Sequence, residues 1–166
     1  MKIDVPYGKD GSMSAQISDD VKISFLEAND VQIGDEDETI KTAINHPINS
    51  KNFKDFLSDA KKVLVIVNDA TRPTPTKKVL EFIFDDLKQI DFNFIIATGA
   101  HRGPSEEEYI QIFGDYYKDI KNHIIVHDAR AKEDMVFLGK STNGTEMFVN
   151  KAGVEADKII IISSVE

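Results

Sequence analysis

Four side chains of the kinds that grip anions or move protons stand directly behind two apolar runs. Asp69 and Arg72 follow Val63-Leu64-Val65-Ile66-Val67 within Asn68-Asp69-Ala70-Thr71-Arg72-Pro73-Thr74-Pro75. His101 and Arg102 follow Phe94-Ile95-Ile96-Ala97 within Thr98-Gly99-Ala100-His101-Arg102-Gly103-Pro104. Histidine titrates near neutral pH, so His101 can take a proton and return it during turnover. Asp69, Thr71 and Arg72 together suit a pocket that accepts hydroxyls through the carboxylate and holds an anion through the guanidinium. Each residue also has a plainer role. Asp69 can cap a turn, and Arg72 can form a surface ion pair worth little. Arg102 can bind substrate or cofactor, or brace its loop by pairing with Glu106 or Glu107. Gly99 suits a tight turn or a close ligand approach rather than chemistry.

These residues need rigid elements to hold them, and the flanking pattern supplies such elements. Each apolar run reads as a buried strand leading into a helix, and ligands of open α/β sheets sit outside the carboxyl ends of the strands. Two such ends therefore face one cleft. After Arg72, Thr74 places a hydroxyl before Pro75 in the manner of a helix cap, and Val79, Phe82, Ile83 and Leu87 recur at helical spacing. After His101, Ser105-Glu106-Glu107-Glu108 is a capping box, with Tyr109, Ile110 and Phe113 as an apolar face and Gly114 as the stop. Residues 123–127 and 158–163 read as further buried strands, and Asn143-Gly144 marks a hairpin between two apolar segments. Near the start, residues 2–5 and 13–17 flank a glycine-rich turn, and residues 21–26 alternate as a third short strand would. The acidic residues 35–38 precede Ile40, Ala43 and Ile44 and suit a solvated helix start, since they lack the alternating ligands of a calcium loop. The fold class is α/β: a mainly parallel sheet with flanking helices, N-terminal short strands and a β-hairpin near residues 135–149. No repeat or linker divides residues 1–166.

Composition narrows the function. With 41% hydrophobic and 30% charged residues the chain can bury a core. It has no cysteine, which excludes disulfides and thiolate metal sites. A formal net charge of -9 disfavours nucleic acid as a partner, so any anion-binding charge must be local, as Arg72 and Arg102 are. No apolar run approaches the ~20 residues of a membrane span, and a cytoplasmic location is expected. His123 and His127 bracket one strand, where i and i+4 stand ~13 Å apart, too far to share a metal. Structural roles suit them better, and His46 before Pro47 reads as a loop residue.

The two motifs, Asp69-Ala70-Thr71-Arg72-Pro73-Thr74-Pro75 and Thr98-Gly99-Ala100-His101-Arg102, together with Tyr7-Gly8-Lys9, resemble the amino-terminal domain of the nickel-pincer-nucleotide-dependent lactate racemase family. The resemblance implies an isomerase that interconverts the stereoisomers of a small 2-hydroxy acid. One of two histidines removes the hydroxyl proton while hydride passes from C2 to a nickel-pincer nucleotide, and the planar 2-oxo acid takes hydride back on its other face. His101 matches one acid/base histidine. Asp69, Ala70, Thr71 and Arg72 match the cofactor-binding loop, with Arg72 also placed to orient the substrate carboxylate and Arg102 as the second substrate-binding candidate. The second histidine, the cofactor-tethering lysine and the nickel ligand fall in a carboxy-terminal half beyond Glu166. Residues 1–166 then form the amino-terminal cofactor- and substrate-binding domain of a larger racemase, inactive by itself, with no metal ligand of its own. The other reading is a non-catalytic module that binds a nucleotide or phosphate at the same strand ends. A dinucleotide-binding dehydrogenase is disfavoured, because no Gly-x-Gly-x-x-Gly follows any strand.

Overall fold

The computed structural model describes residues 1–27 and 29–164, and the chain divides into two units, Met1–Ile33 and Gly34–Glu166. The boundary falls directly before the acidic cluster at residues 35–38. In the first unit, strand β1 (Lys2–Tyr7) pairs antiparallel with β2 (Gly11–Gln16), Tyr7 lying opposite Gly11. Gly8 takes φ 69°, a backbone that residues with a Cβ adopt reluctantly. Residues 21–26 form no strand, contrary to the alternation of their side chains, and Phe25 and Leu26 are exposed. Alternation defines two faces, but a strand also needs a neighbour for its N–H and C=O groups, and this sheet has only two members.

The second unit opens with α1 (Glu36–Asn45), whose Asp35 cap accepts the Glu38 amide at 3.0 Å, as the acidic cluster predicts. The short helix α2 (Phe53–Leu57) leads into β3 (Lys62–Asn68), followed by α3 (Thr76–Leu87), β4 (Asp91–Ala97), α4 (Glu106–Phe113), α5 (Tyr117–Ile120) and β5 (Ile124–Val126). A hairpin of β6 (Met135–Lys140) and β7 (Glu146–Asn150) comes next, then α6 (Lys151–Glu155) and β8 (Lys158–Ile162). The sheet order is β5-β4-β3-β8 and every pairing is parallel, with Val65 between Phe94 and Ile160.

One face of each central strand builds the core, and Leu64 and Ile95 on the other face are buried as well. Val63, Val65 and Val67 of β3 and Phe92, Phe94 and Ile96 of β4 are buried together with Leu80, Ile83 and Leu87 of α3 and Ile112 and Phe113 of α4. Each such side chain contributes ~1.5–3 kcal/mol by leaving water, so these two strands are firmly anchored and their carboxyl ends are fixed points. The helix faces are rotated slightly from the sequence expectation. Leu80 rather than Phe82 is fully buried in α3, and Ile112 replaces the exposed Ile110 in α4. The strand at 158–162 is an edge, not the buried strand its apolar run suggests: Ile159 and Ile161 are 42% and 66% exposed. Around Asn143-Gly144 the expected hairpin forms, Phe137 facing Phe148. Among the described residues no helix is long and apolar enough to cross a membrane.

Candidate active site

The two loops that follow β3 and β4 lie side by side at the carboxyl end of the sheet, because these strands are in-register neighbours from Lys62 and Asp91 to Asn68 and Ala97. Each chain turns at once on leaving its strand. The Arg72 amide bonds to the Asp69 carbonyl at 3.2 Å and the His101 amide to the Thr98 carbonyl at 3.0 Å. Gly99 supplies φ 59° inside the second turn. Asp69 and His101 meet as a result: Oδ2 of the carboxylate lies 2.6 Å from Nδ1 of the imidazole.

The Asp69 carboxylate is 7% exposed and heavily bonded. Its Oδ1 accepts the Thr71 hydroxyl at 2.5 Å and the Thr71 amide at 3.1 Å. Burial pushes the Asp69 carboxyl up, but the hydrogen bonds from Thr71 and His101 outweigh it and hold the group below the ordinary carboxylate range. An ionised carboxylate has only acceptor oxygens, so it fixes the hydrogen on Nδ1 of His101 and leaves the Nε2 lone pair available. His101 is itself largely exposed, its side chain 58% accessible, on the wall of an open cleft of about 270 Å³. Asp69, Ala70, Thr71, Arg102, Pro104 and Glu108 complete that cleft.

Helix α4 braces both loops. Ser105 and Glu108 form the expected capping box, the Ser105 amide reaching Glu108 Oε2 at 2.7 Å. The same carboxylate takes two bonds from the Arg102 guanidinium, at 2.7 and 2.9 Å. Arg102 therefore pairs with Glu108 and not with Glu106 or Glu107, because the box already turns Glu108 back toward the helix entrance. Arg102 and the Ser105 amide draw the Glu108 carboxyl below its usual range. Gln111, one turn further on, donates to the Ala70 carbonyl at 3.4 Å.

Thr74 does not cap α3. The helix starts after Pro75 without a side-chain cap, and the Thr74 hydroxyl accepts the Asn68 side-chain amide at 2.8 Å instead. That bond closes the loop across six residues and keeps its two ends together. Arg72 is exposed on this loop. The remaining histidines are structural, as their spacing suggests: Nδ1 of His123 bonds to the Phe92 carbonyl at 3.0 Å, and its ring stacks on Phe92. His127 meets the Asn150 side chain, and His46 closes the end of α1. Sequence reasoning overlooked Thr98, whose buried hydroxyl donates to the His127 carbonyl and ties the β4 loop to the end of β5. It also passed over residues 127–130, although His-Asp-Ala-Arg behind an apolar run repeats the pattern seen at the other two strand ends.

Known proteins share this arrangement of strands and loops. Residues 7–166 match the model of the lactate racemase N-terminal domain family. The chain belongs to that family. The lactate racemase of Thermoanaerobacterium thermosaccharolyticum is 30% identical over 172 residues, a stretch covering 99% of this chain and 40% of that protein. The lactate racemase of Lactiplantibacillus plantarum is 28% identical, with coverages of 95% and 38%. The solved lactate racemase apoprotein from T. thermosaccharolyticum superposes with a TM-score of 0.79 at 29% identity, covering 97% of this chain and 38% of that one. The chain thus spans about two fifths of the length of the lactate racemases it matches.

Proposed function

We propose that this chain is the amino-terminal domain of a lactate-type racemase or epimerase, in which His101 exchanges a proton with the hydroxyl of a small 2-hydroxy acid. The observation that carries the reading is the 2.6 Å contact between Asp69 and His101 in an open cleft. Asp69 orients the imidazole through Nδ1 and stabilises the imidazolium formed when Nε2 takes the hydroxyl proton. Thr71 holds the other carboxylate oxygen, so the acid cannot swing away from the ring. When the substrate is rebuilt, the same nitrogen returns the proton. Arg72 is assigned to the substrate carboxylate, whose two oxygens a guanidinium fork matches, while Arg102, whose fork is held by Glu108, adds positive charge to the wall of the cleft.

The family resemblance also implies a nickel-pincer nucleotide. Among the described residues no three His, Asp or Glu side chains converge as a metal site. The residues present fit one wall of a nucleotide and substrate pocket, with residues 69–72 against the nucleotide. Nickel ligation, the lysine tether and the second acid/base group are assigned to the carboxy-terminal half. When bound, the cofactor supplies an acceptor for the C2 hydride, which avoids a carbanion at a poorly acidic carbon. A small diffusible acid as substrate suits an enzyme of the cytoplasm.

The test is His101→Ala in an enzyme that joins this chain to its carboxy-terminal half, with nickel content and racemisation followed in both directions. Turnover should fall by ~10²–10⁴-fold while cofactor loading holds, as expected for loss of a general acid/base. Unchanged turnover would make His101 a loop residue and remove the proposal.

A further inference from the structure

A second cavity, of about 670 Å³, opens on the opposite side of the residue 99–103 loop, between the carboxyl ends of β4 and β5. His101 and Arg102 line both cavities, so the turn that carries them is shared between the two. His127, Asp128 and Arg130 line the second cavity on the β5 side. Its floor is held by the buried Thr98 hydroxyl on the His127 carbonyl and by the His127 amide on the Ile96 carbonyl at 3.1 Å.

The charges of this cavity have unequal commitments. Arg102 is already engaged by Glu108, which faces the first cavity and not the second. Asp128 is the single carboxylate in the lining, and its Oδ1 accepts the backbone N–H of Arg130 at 2.8 Å. Among the described residues the Arg130 guanidinium has no carboxylate within ion-pair distance, and it is exposed at the cavity edge. The whole chain carries a formal charge of -9 and repels anions at long range, so an anion held here would be held by local contacts. A guanidinium presented on a fixed turn is the side chain best shaped to accept two oxygens of one planar or tetrahedral anion.

We propose that the cavity between the β4 and β5 ends is a second anion subsite, in which Arg130 binds a carboxylate or phosphate of the ligand whose reacting end lies at His101. The proposal rests on reading His101 as the proton-transfer residue, and it adds a third strand end to the two already assigned. Both kinds of anion are present in a site that takes a hydroxy acid and a mononucleotide, and one titration separates them.

The test uses the 166-residue chain labelled with ¹⁵N. Inorganic phosphate and lactate are added separately, and the Arg130 side-chain N–H and the amides of 127–131 are followed by NMR. Saturable shifts with one anion should appear and weaken roughly ten- to a hundredfold in Arg130→Ala, the size expected for a lost charge-assisted contact. Arg130→Lys, which keeps the charge and loses the fork, should bind at an intermediate level. Tighter phosphate binding assigns the subsite to a nucleotide phosphate, and tighter lactate binding assigns it to the substrate carboxylate. Shifts that persist unchanged in Arg130→Ala, shifts confined to residues 69–72, or no saturation with either anion would overturn the subsite. The readout involves no turnover. A failed subsite is therefore distinguishable from a failed assignment of His101, which the turnover test decides by itself.

Discussion

Asp69 links the stability of the site to its chemistry. Its carboxyl is held below the ordinary range in the folded chain, so the contribution is complete above the unfolded value near ~3.9 and disappears as pH falls through the folded value. Asp69→Asn removes the charge but keeps the shape. It should cost about 1.5–3 kcal/mol at neutral pH, the scale of hydrogen bonds to a charged group. The difference from the wild-type chain should narrow below pH ~4, where the carboxyl of the unfolded chain takes up a proton before that of the folded one. Urea unfolding of both proteins at pH 7 and pH 3 measures this, and a gap that is constant with pH would show that Asp69 acts through packing alone. In the joined enzyme the same variant should lower turnover, because an amide no longer enforces the Nδ1 proton on His101. Arg72→Ala should behave differently. If the guanidinium holds the substrate carboxylate, KM should rise more than kcat falls, and kinetics in both directions would separate the two effects.

At the scale of the element, α4 carries more of the site than its eight residues suggest. One carboxylate, Glu108, closes the capping box and anchors Arg102 beside the histidine. Ser105→Ala should cost ~1 kcal/mol through loss of the cap. Glu108→Ala should cost more and should also raise backbone mobility at residues 101–104, measurable by amide hydrogen exchange. Equal exchange at those amides in both variants would show that Arg102 does not depend on the helix. The capping box was legible in the sequence because it is local: four consecutive residues contain both partners. The Thr74 cap failed for a related reason. Its hydroxyl was claimed by Asn68 from across the loop, and spacing near Pro75 carries no trace of that competitor. The pairing of Arg102 with Glu108 rather than its neighbours required knowing which way the first helical turn faces. Asp69 and His101 are 32 positions apart, yet their meeting was foreseeable, since both sit just beyond the ends of apolar runs that pair as neighbouring strands. Residues 21–26 misled because alternation specifies a face and not a partner.

At the scale of the whole molecule, the buried core and both cavities beside His101 belong to the unit from Gly34 onward, while β1 and β2 form a separate exposed hairpin. Central strands buried on both sides announce themselves by continuous apolar runs, which is why β3 and β4 were readable. The same kind of run at 158–162 reads as buried although the strand is an edge, because composition reports what a strand can bury and not what lies beside it. The division of chemistry between halves is the remaining whole-molecule question, and metal binding addresses it directly. Three of the four histidines, His101, His123 and His127, have a ring nitrogen engaged, by Asp69, by the Phe92 carbonyl and by the Asn150 side chain. Among the described residues no three candidate ligands converge, and a stable nickel site needs several N or O donors in fixed geometry. The chain should therefore bind Ni²⁺ weakly and without defined stoichiometry, and should not racemise lactate. Isothermal titration with NiCl₂ and a polarimetric assay of the same sample make the check. A tight one-to-one isotherm would place a nickel ligand set on this chain and contradict the assignment of the metal to the carboxy-terminal half. Racemisation without that half would contradict the division of the two proton-transfer groups between the halves.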